Sequence, residues 1–270
     1  MPDLKIAIAG AGGKMGAANV RAVTRTPGLV VHSAFDRAGS PAIGKDAGSM
    51  AGIEALGVAI VDDVAAALDG AEAIMDFTAP AASVALAEIA RQRGLVHIIG
   101  TTGCSEADDA AIRQAAEAGA RIVKTGNFSL GVNLLQGLVR QAAAALPGWD
   151  LEIVEMHHNK KVDAPSGTAL MLGRAAAEGR GIDLGTHAVR SRDGHTGARE
   201  AGTIGFAALR GGNVIGDHTV ILAGNAERIE LTHRADDRSL FADGAARAAF
   251  WARDQQPGLY TMADVLGFTN

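Results

Sequence analysis

The sequence lacks features that would tie it to an oxidising compartment or to a membrane. Its 270 residues contain a single cysteine, Cys104, so no disulfide can form within the chain. No positively charged leader followed by an apolar segment is present, and no run of about 18 apolar residues occurs. We therefore expect a cytoplasmic protein that does not bind a membrane.

The chain also has fewer positively charged than negatively charged residues. The chain has 25 Lys and Arg residues against 30 Asp and Glu residues, which gives a formal net charge of -5. Non-specific binding to nucleic acid requires basic patches that such a chain cannot easily assemble. We expect no nucleic-acid partner, and any anionic ligand must be bound by a few local groups.

What the chain does have is ample material for a hydrophobic core. Hydrophobic residues make up 48% of the sequence and charged residues 20%, a composition typical of folded proteins. A length of 270 residues exceeds the usual size of one domain, about 100 to 200 residues. Two domains are therefore expected.

The first half of the chain alternates short apolar runs with Ala-rich amphipathic segments. This rhythm predicts an α/β fold in which helices cover a Rossmann-type parallel sheet. The predicted strands are Lys5–Ile8, Leu29–Phe35, Ile74–Phe77 and Val96–Ile99, and the predicted helices are Ala17–Thr24, Ala81–Arg93 and Glu106–Ala118.

The second half changes character, because strands begin to follow one another directly. This order predicts an α+β domain with a mixed, largely antiparallel sheet over residues 128–239, and a first domain made of residues 1–127 with 240–270. The tail helix Ser239–Arg253 is expected to dock on the first domain, and Gly179 to Glu200 is expected to form a long, partly mobile loop. The other predicted elements are helices Gly131–Ala145 and Gly167–Glu178 and strands Leu151–Met156, Thr203–Leu209, Asn213–Leu222 and Arg228–Thr232.

A glycine-rich loop follows the first predicted strand directly. Gly10, Gly13 and Gly16 surround Lys14 and Met15 and lead into a helix. Glycines at such a turn let the backbone approach a pyrophosphate at the helix N-terminus. The position after a strand favours dinucleotide binding over an ordinary glycine turn.

Asp36 and Arg37 stand at the end of the second predicted strand, twenty residues beyond Gly16. A carboxylate there can accept hydrogen bonds from the ribose of NAD, whereas an arginine can pair with the 2′-phosphate of NADP. The pair suggests tolerance of NADH and NADPH. The alternative is a solvated pair of loop residues.

The segment from Glu155 to Thr168 concentrates proton donors and anion-binding groups. The adjacent rings of His157 and His158 suit proton transfer and substrate binding, and Lys161 adds a cation or a second proton donor. A metal site is not expected, because adjacent histidines flanked by lysines are poorly arranged for a cation. In the competing interpretation these are ordinary loop histidines and solvated lysines.

Ser166, Gly167 and Thr168 follow a proline and open a predicted helix. Their hydroxyls and backbone amides can bind a carboxylate of the substrate. Alternatively, Ser166 only caps the helix.

These segments together resemble the 4-hydroxy-tetrahydrodipicolinate reductase (dihydrodipicolinate reductase) family, almost from end to end. The stretch from His157 to Thr168 is the most specific part. The other matching motifs are Gly10 to Gly16, Asp76–Thr78, Gly100–Gly103, Asn127–Asn133, Gly216–Thr219 and Thr232–Arg234.

The resemblance implies a homotetrameric oxidoreductase of diaminopimelate and lysine biosynthesis, which uses NADH or NADPH to reduce a small cyclic dicarboxylate with loss of water. Carried over by position, His157 resembles the acid or base and Lys161 the proton donor, with His158, Gly167 and Thr168 as substrate-binding residues. The cofactor contacts it implies are Gly10, Ala11, Gly12, Gly13, Lys14, Met15, Asp36, Arg37, Gly100, Thr101, Thr102, Thr125, Gly126, Asn127 and Phe128.

Two other functions remain open at this point. One is a different Rossmann dehydrogenase, such as an aspartate dehydrogenase, whose site need not contain the His157 to Thr168 segment. The other is a sensor that binds NAD(P) without catalysis, which would have no use for His157 and Lys161. Turnover distinguishes the sensor from an enzyme. The sequence does not decide between NADH and NADPH or between His157 and Lys161 as the proton source.

Overall fold

The computed structural model describes residues 2–268 and divides the chain into two compact units. The first unit comprises Met1–Leu130 and Ser239–Asn270, and the second comprises Gly131–Arg238. The tail helix Ser239–Ala252 packs against the helix Lys14–Arg25 within the first unit.

The helices and strands are numbered in chain order. The strands are β1 Leu4–Ala9, β2 Leu29–Phe35, β3 Ile60–Val61, β4 Ala73–Asp76, β5 Val96–Ile99, β6 Arg121–Lys124, β7 Asp150–His157, β8 Ala188–Val189, β9 Ile204–Arg210, β10 Asp217–Ala223, β11 Arg228–Arg234 and β12 Gly258–Tyr260. The helices are α1 Lys14–Arg25, α2 Ala47–Met50, α3 Val64–Ala67, α4 Pro80–Arg93, α5 Glu106–Glu117, α6 Leu130–Ala145, α7 Gly167–Arg180, α8 Leu184–His187, α9 Ser239–Ala252 and α10 Met262–Val265.

The first unit is built on a parallel sheet with the strand order β12-β6-β5-β4-β1-β2-β3. Successive residues of a strand point to opposite faces. Accordingly, Ile6 and Ile8 of β1 enter one buried cluster, and Ala7 and Ala9 enter the other. Both faces of the sheet are therefore covered, which confirms the predicted Rossmann-type arrangement.

The loops that matter for function leave one edge of this sheet. The carboxyl ends of parallel strands lie at the same edge, and β1 pairs with β2 on one side and β4 on the other. In open parallel sheets, ligands bind where the strand order reverses in this way. The loops after β1, β2, β4, β5 and β6 therefore surround one region of the first unit.

The second unit contains a mixed sheet with the order β11-β10-β7-β9-β8. Strand β10 is antiparallel to β7 and β11, whereas β9 is parallel to β7 and β8. Helices α6 and α7 contribute Leu135, Val139 and Leu172 to a core that includes Leu151 and Ile153 of β7. The predicted mixed sheet is confirmed.

Helix ends follow the sequence signals closely. Ser166 caps α7 by accepting a hydrogen bond from the Ala169 amide, and Gly181 ends the helix with a φ of 65°. Helix α5 begins with a capping box formed by Ser105 and Asp108.

Two sequence expectations need correction. The segment from Gly179 to Glu200 is not one loop, because α7 continues to Arg180 and both α8 and β8 lie within the segment. Strand β10 begins at Asp217 rather than at Asn213. The residues before it form a turn against the end of β7, where Gly211 N donates to His157 O at 2.9 Å. Within residues 2–268, no helix is long and apolar enough to cross a bilayer.

Candidate active site

The glycine loop after β1 has a conformation that requires glycine at several positions. Gly10 has a φ of 66°, and its carbonyl accepts a hydrogen bond from Gly13 N at 3.0 Å. A Cβ at Gly12 would lie 2.5 Å from Asp36 Oδ2 and 2.6 Å from Ala42 Cβ. A Cβ at Gly16 would collide with the backbone of Gly10. The loop is thus packed as tightly as a phosphate-binding turn requires.

Asp36 holds this loop in place. Its Oδ2 accepts a hydrogen bond from Gly12 N at 3.0 Å, and its Oδ1 accepts one from Arg37 N at 2.7 Å. Each carboxylate oxygen can accept a second hydrogen bond. Asp36 therefore fixes the glycine loop while keeping acceptor capacity for a ligand hydroxyl.

A cavity of about 800 Å³ opens beside the loop. Of the predicted cofactor residues, Gly10, Gly12, Gly13, Asp36 and Arg37 line it. Lys45, which the sequence did not single out, lines it as well. The cavity has the size expected of a nucleotide site, and its largely apolar wall carries a few charged side chains.

A buried network joins the loops after β4 and β5. The Asp76 carboxylate accepts hydrogen bonds from Thr78 N at 3.0 Å and from Thr101 Oγ1 at 3.3 Å, and lies 3.1 Å from His97 Nε2. Ser83 donates to Thr101 Oγ1 at 2.8 Å. Burial favours a raised pKa for Asp76, but the bonds from His97, Ser83 and Thr78 outweigh it, so the pKa of Asp76 is lowered. An ionised carboxylate therefore fixes both loops.

The predicted cofactor residues after β5 and β6 lie beside this network. A Cβ at Gly100 would collide with the Phe77 ring, and that ring packs on Phe128 at a centroid distance of 5.5 Å. Phe128 and Ala11 are only 1% and 2% exposed, so their side chains serve the core. Asn127 Oδ1 accepts a hydrogen bond from Ser129 N at 2.9 Å, which shapes the loop before α6.

In the second unit, His157 lies at the end of β7 with a buried carboxylate beside it. His157 Nδ1 is 2.6 Å from Glu155 Oε2. Arg210 donates to both oxygens of Glu155, at 2.8 and 2.9 Å. Burial favours a raised pKa for Glu155, but the hydrogen bonds from Arg210 and His157 outweigh it, and the pKa is lowered. The histidine thus faces an ionised carboxylate.

A second histidine, His218, packs against the first. The two rings are 5.1 Å apart in an edge-to-face arrangement. Burial, together with the charge of His157, lowers the pKa of His218 to about 4. His218 is therefore neutral at pH 7, and its Nε2 lies 3.1 Å from Ser166 Oγ.

Ser166 is 2% exposed, and its hydroxyl is engaged by Ala169 N and His218. This geometry assigns its hydroxyl to the helix cap. Gly167 is exposed and opens α7, whose N-terminus carries the positive end of the helix dipole. An anion can approach there.

Lys161 lies in the loop between β7 and α7. Its Nζ donates to both oxygens of Asp163, at 2.8 and 2.9 Å, and its backbone N donates to His158 O at 3.1 Å. The ammonium group is thus paired with an exposed carboxylate that a ligand carboxylate can replace.

Burial raises the pKa of the Cys104 thiol in the first unit, which argues against a reactive thiolate there.

Sequence reasoning gave no role to Arg210, and it named Gly216 and His218 only as part of the matching motif Gly216–Thr219. A Cβ at Gly216 would lie 3.0 Å from His157 Nε2, so this glycine makes room for the ring. Glu155 received no role in catalysis from the sequence, although residues two apart on a strand share a face and its contact with His157 follows from that spacing. Among residues 2–268, no group of three or more His, Cys, Asp or Glu side chains is arranged to hold a metal ion.

Comparison with known proteins agrees with this geometry. Residues 4–128 match the family model for the dihydrodipicolinate reductase N-terminus, and residues 131–266 match the model for its C-terminus. A 4-hydroxy-tetrahydrodipicolinate reductase of Rhizobium rhizogenes is 58% identical over 268 residues, which are 98% of this chain and 97% of the relative. One from Rhodopseudomonas palustris strain BisB18 is 58% identical over 271 residues and covers both chains fully.

The fold also matches solved structures. A dipicolinate-bound dihydrodipicolinate reductase from Paenisporosarcina sp. TG-14 aligns with a TM-score of 0.78 at 23% identity, covering 96% of this chain and 97% of that one. A Corynebacterium glutamicum DAP dehydrogenase in complex with DAP aligns with a TM-score of 0.55 at 14% identity, covering 100% and 97%. At these identities the likeness shows the fold alone.

Proposed function

Because the chain belongs to the dihydrodipicolinate reductase family, we propose that its first unit holds the nicotinamide cofactor and its second unit holds the substrate and the proton-donating residues. The chain is an oxidoreductase of diaminopimelate and lysine biosynthesis that reduces 4-hydroxy-tetrahydrodipicolinate to tetrahydrodipicolinate with loss of water. Neither an aspartate dehydrogenase nor a non-catalytic sensor is favoured by these relatives.

The observation that carries the residue assignment is the contact between His157 and the ionised, buried Glu155 at 2.6 Å. A carboxylate that accepts a hydrogen bond from one ring nitrogen orients the ring, so that the other nitrogen can exchange a proton with a substrate. Lys161 lies four residues further along, and its ammonium group can bind a substrate carboxylate or supply the proton. We assign the acid–base role to His157 and the pairing with substrate to Lys161.

The substrate carries two carboxylates, and the second unit offers two places for negative charge. One is the start of α7, where Gly167 and Thr168 present backbone amides beyond the Ser166 cap. The other is Lys161, with His158 beside it in the same loop. The side chains of Lys161 and His158 and the amides of Gly167 and Thr168 are thus the proposed substrate-binding groups.

The cavity of the first unit fits a dinucleotide. Because the loop glycines carry no side chains, and a Cβ there would collide with neighbouring atoms, the bare backbone can approach phosphate groups closely. When bound, the cofactor supplies the hydride. Arg37 and Lys45 place two cations at the cavity, and Asp36 keeps free acceptor capacity. We propose that the site accepts NADPH through the cations and NADH through Asp36.

The second unit also has a surface suited to self-association. Helices α6 and α7 pack on one face of its sheet, whereas Val154 and Ile221 on the other face stay partly exposed and Leu209 is 50% exposed. Apolar side chains on an open sheet face favour burial against another copy. We propose that this face forms the contacts of a homotetramer and that the protein acts in the cytoplasm. Sedimentation equilibrium at four times the monomer mass supports the tetramer, and a monomer at assay concentration contradicts it.

Alanine substitutions test the residue assignment. His157→Ala should lower kcat by about 100-fold or more, the usual contribution of a positioned acid or base. Its cofactor Kd should be unchanged, because the residue lies outside the cofactor cavity. Lys161→Ala should lower kcat and raise the substrate KM.

Lys160→Ala is a matched control, since Lys160 is an exposed neighbour of Lys161. It should retain the wild-type kinetics. Unchanged turnover in both His157→Ala and Lys161→Ala would refute the assignment.

A further inference from the structure

We propose that Glu155 and Arg210 form a positioning pair that sets the tautomer and orientation of His157. This inference rests on the proposed role of His157 and adds two residues that do not touch the substrate. It concerns how the second unit prepares its acid before any ligand binds.

The first step is that Glu155 is a buried charge with every oxygen engaged. Its side chain is 1% exposed. Oε1 accepts hydrogen bonds from Arg210 Nη2 at 2.9 Å and from Ser166 N at 3.1 Å, and Oε2 accepts from Arg210 Nη1 at 2.8 Å. Because a lone buried carboxylate would take up a proton, Arg210 is what keeps Glu155 ionised.

The second step follows from what an ionised carboxylate can do. It accepts hydrogen bonds and cannot donate one. At the 2.6 Å contact with Glu155 Oε2, the proton must therefore be on His157 Nδ1. The Nε2 atom is then the one that carries or releases the exchangeable proton, as in carboxylate–histidine pairs of other active sites.

The third step is that Arg210 ties the same carboxylate to the substrate loop. Its Nη2 also donates to Asp163 O at 2.7 Å, and Asp163 is the residue whose carboxylate pairs with Lys161. Through Ser166 N, Glu155 also holds the cap of α7. The ion pair between Glu155 and Arg210 thus contacts His157, the loop that carries Lys161, and the start of α7.

The same strand carries a second Glu–Arg pair that lacks these features. Glu152 accepts hydrogen bonds from Arg192 at 2.9 Å and from Arg199 at 3.0 Å. Its side chain is 29% exposed and it contacts no histidine. Glu152 lies on the opposite face of β7 from His157. Substituting Glu152 therefore removes a Glu–Arg ion pair without removing a contact to His157.

The test compares Glu155→Gln, Arg210→Met and Arg210→Lys with Glu152→Gln. Long-range ¹H–¹⁵N NMR on protein labelled at histidine reports which ring nitrogen carries the proton, with His157→Ala identifying the signal. Wild type should show His157 protonated at Nδ1. In Glu155→Gln the tautomer should become mixed, because a neutral amide can either accept from or donate to that atom.

Kinetics provide the second measurement. Glu155→Gln and Arg210→Met should lower kcat on the order of 100-fold, since a misoriented acid loses much of its contribution, with the cofactor Kd unchanged. Arg210→Lys keeps the charge but not the two-point geometry, so it should fall between Arg210→Met and wild type. Glu152 pairs directly with Ile221, on the sheet face proposed to form the tetramer contacts, so sedimentation must first show that Glu152→Gln keeps the wild-type assembly. With the assembly intact, Glu152→Gln should change neither kcat nor the His157 tautomer.

The proposal is overturned if folded Glu155→Gln keeps the wild-type tautomer, or if it loses activity while the tautomer stays fixed. Should Glu155→Gln fail to fold, Arg210→Met gives the same test, because without the guanidinium the buried Glu155 takes up a proton and can then donate to His157 Nδ1. If His157→Ala itself retained full turnover, the proposed role of His157 would fail, whereas the NMR result would still show whether Glu155 sets the tautomer. The two failures are thus distinguishable.

Discussion

Lowering the pH from 7 to 5 should destabilise the second unit through His218. The folded unit keeps this ring neutral, with a pKa of about 4, whereas the ordinary value is 6.5. Its Nδ1 atom is buried and has no hydrogen-bond partner among residues 2–268, so protonation would add a charge and a donor that nothing there accepts.

The magnitude follows from proton linkage. Between pH 6.5 and about 4 the unfolded chain binds a proton that the folded chain does not, so stability rises with pH in this window and falls as the pH is lowered. At about 1.4 kcal/mol per pH unit, His218 alone should cost about 2 kcal/mol between pH 7 and 5. Glu155 does not contribute to this loss, because its pKa is lowered and it stays ionised in this range.

The assay is urea unfolding at several pH values, followed by tryptophan fluorescence. Trp149 lies in the second unit and Trp251 in the first, so a Trp251→Phe background makes the signal report the second unit. His218→Gln should remove about 2 kcal/mol from the pH-dependent loss, whatever its effect on stability at pH 7. His195→Gln, at an exposed loop position, should leave the pH dependence unchanged. Equal pH dependence in wild type and His218→Gln would refute the neutral, buried state of this ring.

Three further predictions concern the cofactor site. Arg37→Ala should raise the Kd for NADPH by about tenfold and the Kd for NADH much less, because the 2′-phosphate of NADPH loses a charge-assisted hydrogen bond. Adding Lys45→Ala should increase this difference. Equal effects on the Kd of both cofactors, measured by calorimetry, would contradict the role of Arg37. Asp76→Asn should raise the cofactor KM more than the substrate KM in steady-state kinetics, since Asp76 fixes the loops after β4 and β5 from within the first unit; a larger effect on substrate KM would contradict that role. His97→Gln should behave in the same direction with a smaller effect, because Asp76 keeps its bonds to the loop hydroxyls.

Much of the fold follows from the sequence where strands are rich in apolar residues. Strands β2 and β5 were predicted with their observed bounds, because apolar residues stand at both ends of each and only His32, Ser33 and His97 interrupt them. Strand β6 was missed, since only Ile122 and Val123 lie between Arg121 and Lys124. The early start predicted for β10 has the opposite cause. Val214 and Ile215 suggest a strand, but the backbone there turns against the end of β7.

The site divides in the same way. The glycine loop, Asp36 and the His157 to Thr168 segment are local patterns, and local patterns are visible in sequence. The contact between Glu155 and His157 could also be predicted, because residues two apart on a strand lie on the same face. The roles of Arg210 and His218 could not be predicted from local patterns. Their contacts with Glu155 and Ser166 depend on how β9 and β10 pair with β7, across more than fifty residues of sequence.

The most direct test of the central claim is the loss of NADH or NADPH absorbance when freshly generated 4-hydroxy-tetrahydrodipicolinate is added to the purified protein, with His157→Ala measured alongside. Wild type should oxidise the cofactor, and the rate should collapse in the variant. If folded wild-type protein that binds cofactor oxidised neither, the assigned reaction would be contradicted. If the variant matched wild type, the reaction would stand and the role given to His157 would be wrong.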